Sequence, residues 1–203
     1  MVKATNFLIT GVGGQGTVLA SDIMAAAGLA AGYDVKKSDI LGLAVRGGGV
    51  VSHIRWGEKV HSPIVPDGRV DYLIAFEKLE CLRWLNHVQP EGTVLMNEQE
   101  IQPVTVSSGF ATYPAEETLD EALKATTPNT YRIPGLDMAQ ELGNARVVNV
   151  ILLGALSALL PVEPEIWENV LKKRVPARYT ELNSQALQRG REWLQDKIRS
   201  KTA

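Results

Sequence analysis

Residues 7–32, FLITGVGGQGTVLASDIMAAAGLAAG, decide the fold. Phe7 to Thr10 is a short β-type run. Gly11, Gly13, Gly14 and Gly16 crowd the turn that follows, and Val18, Leu19, Ile23, Met24, Ala27 and Ala30 then recur at helical spacing until Gly32 ends the helix. A strand, a glycine turn and a helix in that order open a doubly wound α/β domain. A second short strand over Tyr33 to Lys37 would complete a right-handed βαβ unit with the first.

Working outward, the alternation continues. VDYLIAF (70–76) reads as a buried parallel strand, EKLECLRWLNHV (77–88) as an amphipathic helix and GTVLMNE (92–98) as the next strand. Pro103 to Tyr113 reads as short β or loop, AEETLDEALKAT (115–126) as a helix, and TYRIPG (130–135) as a strand stopped by Pro134. One segment departs from the repeat. Two β-rich runs flank Gly57-Glu58-Lys59, the spacing of an antiparallel hairpin. From Gly135 onward only helical patterns remain, including the apolar run Val147 to Pro161. The expectation is a single Rossmann-like doubly wound α/β domain over 1–203, with a mostly parallel sheet, an inserted β-hairpin and a helical C-terminal third.

Gly11, Gly13 and Gly16 satisfy GxGxxG between a strand and a helix, where backbone amides can approach a pyrophosphate. The same glycines also serve close helix–strand packing, so the motif alone supports either role. A dinucleotide site of the NAD kind wants an acidic residue at the end of the second strand, and Lys36, Lys37 and Ser38 stand there instead. Two lysines suit a phosphate-bearing ligand, which favours NADP or coenzyme A over NAD. Gln15 places an amide inside the turn, able to reach a ligand or a neighbouring subunit, or simply water. Arg46 before Gly47, Gly48 and Gly49 joins a guanidinium fork to a backbone that another surface can approach closely. The candidate binding residues are therefore Gly11, Gly13, Gly14, Gln15, Gly16, Lys36, Lys37, Arg46, Gly47 and Gly48. His53 and Arg55 alternate on one strand face, which an ordinary solvated face would also show. Glu77, Glu80 and Arg83 fall at helical intervals, and an intrahelical ion pair accounts for Glu80 and Arg83.

Bulk properties narrow the function. A net charge of −2 over 203 residues gives no basic stripe for nucleic acid. No apolar run reaches the roughly 18 residues that span a bilayer, and nothing near the start resembles a signal peptide, so the cytoplasm is the expected compartment. One cysteine cannot hold an iron–sulfur cluster, which ordinarily takes four thiolates, and the three histidines lack ligand spacing. Metals are expected on another chain, and no residue is identified as a catalytic acid or base.

GVGGQG after the first strand, GLAVRGGGVVSHIRWGEKVHSPIVPDG (42–68), VDYLIAFEKLECLRWL (70–85) and NVILLGALSAL (149–159) together resemble the γ-type subunit of 2-oxoacid:ferredoxin oxidoreductases, the indolepyruvate type most of all. The resemblance covers nearly the whole chain. It implies oxidative decarboxylation of a 2-oxoacid, arylpyruvate preferred, with transfer of the acyl group to coenzyme A and of electrons to ferredoxin. It implies a large partner subunit holding thiamine diphosphate, Mg²⁺ and the iron–sulfur clusters, and a small chain that is inactive alone; a homodimer through the partner-facing surface is open to the isolated chain. An independent NAD(P)-binding oxidoreductase and a non-catalytic nucleotide-binding module are the competing readings.

Overall fold

The computed structural model describes residues 4–42 and 47–202. Six strands form one sheet: β1 (Thr5–Val12), β2 (Asp34–Leu41), β3 (Gly49–Gly57), β4 (Val70–Ala75), β5 (Val88–Asn97) and β6 (Asn129–Ile133), in the spatial order β2-β3-β1-β4-β5-β6. The run β1-β4-β5-β6 is parallel, and β3 lies antiparallel to both of its neighbours, β1 and β2. β1 is central because its residues are apolar on both sides, with Phe7, Leu8 and Ile9 all fully buried.

Helices cover both faces. Phe7, Ile9, Ile54, Trp56, Ile74 and Leu95 point to one face, where α1 (Thr17–Ala30), α5 (Gly135–Glu141), α6 (Val148–Ser157), α7 (Pro164–Arg174) and α8 (Thr180–Thr202) pack. Leu8, Val51, Leu73, Val94 and Met96 point to the other, beneath α2 (Lys78–Trp84) and α4 (Glu116–Thr126). The alternation follows the period of two along each strand. Each such side chain, fully buried, stabilises the fold by about 1.5–3 kcal/mol. α3 (Val104–Ser107) is a single turn in the loop after β5.

Every residue of α6 is buried. Its tightest neighbour is α8, and the approach is backbone on backbone. A Cβ on Gly154 would lie 2.0 Å from the Leu187 carbonyl oxygen, and one on Gly190 would lie 1.9 Å from the Ile151 carbonyl oxygen. Only paired glycines let the two helices meet so closely.

Two expectations need correction. The hairpin forms from β2 and β3, not across Gly57-Glu58-Lys59; residues 58–69 run as loop, fixed by Val60 N–H to Asp34 Oδ2 at 2.8 Å and Val65 N–H to His53 Nδ1 at 3.3 Å. Pro63 and Pro66 lack the donors a ladder needs, which explains the loop. Secondly, β2 does not pair with β1. It runs parallel to β1 with β3 between them. Lys36, Lys37, Ser38 and Asp39 make β2 too polar for a central position, and an edge is where such a strand belongs.

Candidate functional site

The end of β1 carries the glycine turn into α1. Gly16 is the N-cap of that helix with φ of 81°, a left-handed conformation, and a Cβ there would lie 2.5 Å from Asn149 Nδ2 on α6. The first intrahelical bond runs from Ala20 N–H to Gly16 O at 2.9 Å, so the Thr17, Val18 and Leu19 amides have no intrahelical acceptor at the positive end of the helix dipole. Gln15 does not face outward. Its Oε1 accepts from Val12 N–H at 2.7 Å, while Nε2 donates to Phe76 O at 2.9 Å and Gln99 Oε1 at 3.1 Å. The side chain ties together the loops after β1, β4 and β5.

The segment after β2 returns over this turn. Gly13 N–H donates to Gly48 O at 2.8 Å, and Gly47 N–H donates to Gly13 O at 3.3 Å. The structure thus brings together Gly11, Gly13, Gly14, Gln15, Gly16, Gly47 and Gly48; Arg46 lies outside the described residues. Between turn and hairpin opens a cleft of about 420 Å³, lined by Gly13, Gly14, Gly16, Thr17, Val18, Leu41, Gly42 and Val50. Thr17 is 4% exposed and its Oγ1 has no hydrogen-bond partner among the described residues, although the position begins α1.

The two lysines are elsewhere. Lys37 lies opposite Ile54 and Lys36 opposite Arg55 on β3, four and five residues before the β2 end that lines the cleft. At about 3.3 Å per residue that is roughly 13–17 Å along the strand. They also point to opposite faces, and both are engaged: Lys36 pairs with Asp34 at 2.6 Å, Lys37 with Asp39 at 2.9 Å and with Asp22. Lys37 is held above the ordinary lysine range: burial works against its charge, and the hydrogen bonds to Asp22 and Asp39 outweigh it. Asp39 is held below the carboxylate range by Ser52, Lys37 and Ser21 against a desolvation cost.

His53 is buried rather than on a solvated face, and desolvation lowers its pKa. Glu80 and Arg83 form the expected ion pair at 2.7 Å. Glu80 is itself buried. Its Oε2 lies 3.0 Å from where a Cβ of Gly49 would stand, and burial pushes its carboxyl above the usual range despite Arg83. Glu77, which the sequence places on the face of Glu80 and Arg83, is 1% exposed and caps α2 by accepting from Glu80 N–H at 2.9 Å, a role the sequence analysis did not assign to it. It also accepts from Ile101 N–H at 3.1 Å and from the Tyr113 hydroxyl, fastening the loop after β5. An acidic residue opening the predicted helix 77–88 was the available signal for a cap.

Among the described residues no group of three or more His, Cys, Asp or Glu is placed to hold a metal ion, and Cys81 is fully buried with its thiol pushed up by desolvation. Also among them, no helix is long and apolar enough to cross a membrane.

The description "pyruvate ferredoxin/flavodoxin oxidoreductase" belongs to the family that matches residues 6–193. Indolepyruvate oxidoreductase subunit IorB of Thermococcus kodakarensis is 37% identical over 195 residues, covering 93% of this chain and 95% of the relative. The keto/oxoacid ferredoxin oxidoreductase γ subunit of Geobacter sulfurreducens superposes with a TM-score of 0.70 at 25% identity, over 95% of this chain and 99% of that one. A 2-oxoglutarate:ferredoxin oxidoreductase from Magnetococcus marinus, solved with 2-oxoglutarate, coenzyme A and succinyl-CoA bound, shares the fold with a TM-score of 0.74 at 20% identity. There the match covers 97% of this chain but 32% of the other.

Proposed function

Because the chain belongs to the pyruvate ferredoxin/flavodoxin oxidoreductase family, we propose that it is the small subunit of a 2-oxoacid:ferredoxin oxidoreductase that prefers arylpyruvates. One observation carries the reading: the chain corresponds end to end, 93% against 95%, with a relative that is itself named as an indolepyruvate oxidoreductase subunit. The reaction takes a 2-oxoacid and the thiol of coenzyme A to an acyl thioester, carbon dioxide and a proton. Two electrons leave to ferredoxin.

Thiamine diphosphate with its metal, and iron–sulfur clusters, do not fit this chain. Its one cysteine is sealed in the core, and a cluster takes four thiolates. A larger partner subunit holds those groups, and no chemical step is assigned to a residue here.

What this chain offers is the glycine cleft. The first-turn amides and dipole of α1 favour an anion, the bare turn lets a phosphate approach the backbone, and the unpartnered Thr17 hydroxyl can donate to it. Coenzyme A is the phosphate-bearing reactant of the reaction. Its anionic end is therefore assigned to this cleft, with Gly14, Gly16 and Thr17 as the contacts and Arg46 as a charge nearby in sequence. NADP reading loses its support, since Lys36 and Lys37 are remote from the cleft and paired with carboxylates.

The test is 2-oxoacid-dependent viologen reduction with coenzyme A and thiamine diphosphate, on this chain alone and co-expressed with a candidate large subunit from the same genome. Activity only in the pair, greatest with indolepyruvate, is expected. A folded, cofactor-loaded pair that reduces viologen with no 2-oxoacid would overturn the reading.

A further inference from the structure

The loop after β5 projects an apolar tip. Phe110 is 88% exposed and Val104 is 76% exposed, the two most exposed large apolar side chains of the described residues. The tip is not loose. Ser108 N–H donates to Val104 O at 2.9 Å, and the Phe110 and Ala111 amides both donate to Thr105 O at 2.9 and 3.0 Å. The base of the loop is fastened on both sides to the buried Glu77, through Ile101 and Tyr113. An aromatic ring in water on a knuckle this well bonded is a preorganised anchor, because little further ordering is needed when it is buried.

The surroundings say what would cover it. Residues 98–121 contain six carboxylates, Glu98, Glu100, Glu116, Glu117, Asp120 and Glu121, and no lysine or arginine. Lys78 and Arg132 from neighbouring elements pair with Glu98, Glu116 and Asp120. Glu117 and Glu121 stand exposed on α4. The knuckle is an apolar tip in an acidic setting. A two-fold contact with a second copy would set this acidic surface against itself, which electrostatics opposes.

We infer that the 101–113 knuckle, with Phe110 as its anchor, docks this chain onto its larger partner subunit, entering an apolar socket rimmed by lysine and arginine. This rests on the small-subunit reading above. It agrees with the occurrence of the same fold as about a third of a longer polypeptide, where other parts of that chain are available to cover its surface. The knuckle also leaves the sheet at the carboxyl end of its parallel strands, the end that carries the glycine turn.

The experiment is affinity co-purification and titration of the tagged chain with the large subunit that restores activity in the assay above, comparing wild type, Phe110→Leu, Phe110→Asp and the double reversal Glu117→Lys with Glu121→Lys. Phe110→Asp is expected to weaken association by about 30-fold or more, the effect of removing an interface hot spot. Phe110→Leu should retain most of the affinity. The double reversal should slow association and flatten its dependence on salt. Melting temperature of the isolated chain should stay unchanged in all three, because none of these side chains is buried. Wild type and Phe110→Asp binding the large subunit equally would sink the knuckle and leave the small-subunit reading intact. Failure of the folded wild-type chain to bind at all would sink both. Self-association of the wild-type chain that Phe110→Asp abolishes, with large-subunit binding untouched, would assign the knuckle to a homodimer and overturn the inference.

Discussion

Gln15→Ala should destabilise the isolated chain by about 1–3 kcal/mol. The side chain makes three hydrogen bonds, to Val12 N–H, Phe76 O and Gln99 Oε1. Val12 and Phe76 are buried, so alanine takes the partner from the Val12 N–H where water does not replace it, and removes one of two donors from Phe76 O. A stranded buried group costs about 1–3 kcal/mol. Phe76 O is the better protected of the two, since Asn97 Nδ2 also donates to it at 3.0 Å. Gln99 likewise keeps a bond from Asn97 Nδ2 at 3.2 Å, so its loss adds little. The assay is urea unfolding: the midpoint should fall while the slope of free energy against denaturant is unchanged. Gln15→Glu preserves the acceptor for Val12 but sets a carboxylate against two oxygens, so it should not rescue stability at neutral pH. A loss below about 0.5 kcal/mol, the range of an ordinary surface change, would refute the internal role and return the amide to a ligand or a partner.

Gly190→Ala should cost about 3 kcal/mol or more, because the added methyl meets the Ile151 carbonyl at 1.9 Å and helices cannot shift apart without opening the core; calorimetry of the isolated chain reads it. Glu80 carries a pH signature. Its carboxyl is raised in the folded state, so its contribution to stability is full below the ordinary carboxylate range and is lost as pH rises through the shifted value. Glu80→Gln should therefore gain on wild type as pH rises from acid toward neutral, and parallel stability curves would contradict the assignment. Thr17→Val removes a hydroxyl that has no partner among the described residues, so stability should hold or rise slightly. Coenzyme A affinity of the assembled complex, measured by calorimetric titration, should nevertheless fall several-fold. Equal affinity would remove Thr17 from the proposed contacts.

Most of the architecture is legible in the sequence because strand, turn and helix periods are local. The βαβ start, the strands at 70–76 and 92–98 and the helical C-terminal third all follow from spacing and punctuation. The order of strands does not. Nothing local announces that β3 slips between β1 and β2, since that outcome depends on polar β2 losing the competition for an interior place. The same limit applies to the candidate site. Gly11 to Gly16 and the return of Gly47 and Gly48 can be guessed from their types, and the structure places them in contact. Lys36 and Lys37 look suitable by charge, yet their carboxylate partners Asp22, Asp34 and Asp39 are chosen by tertiary placement. Gln15 is ambiguous in sequence for a related reason: whether its amide faces inward depends on Phe76 and Gln99, which are more than sixty positions away.

The two faces of the sheet are also unequal in time. The face under α2 and α4 draws its buried residues from Leu8 to Leu123, whereas the face under α1 needs residues as late as Leu194. During synthesis at roughly 5–20 residues per second, the first face has all its parts several seconds before the second. At the start of that interval Phe7, Ile9, Ile54, Trp56 and Ile74 have only α1 to shelter them. A ribosome that stalls within the last third leaves a half-roofed sheet, attractive to chaperones and to other nascent copies. For such a chain, the C-terminal helices act as the closing step of biosynthesis.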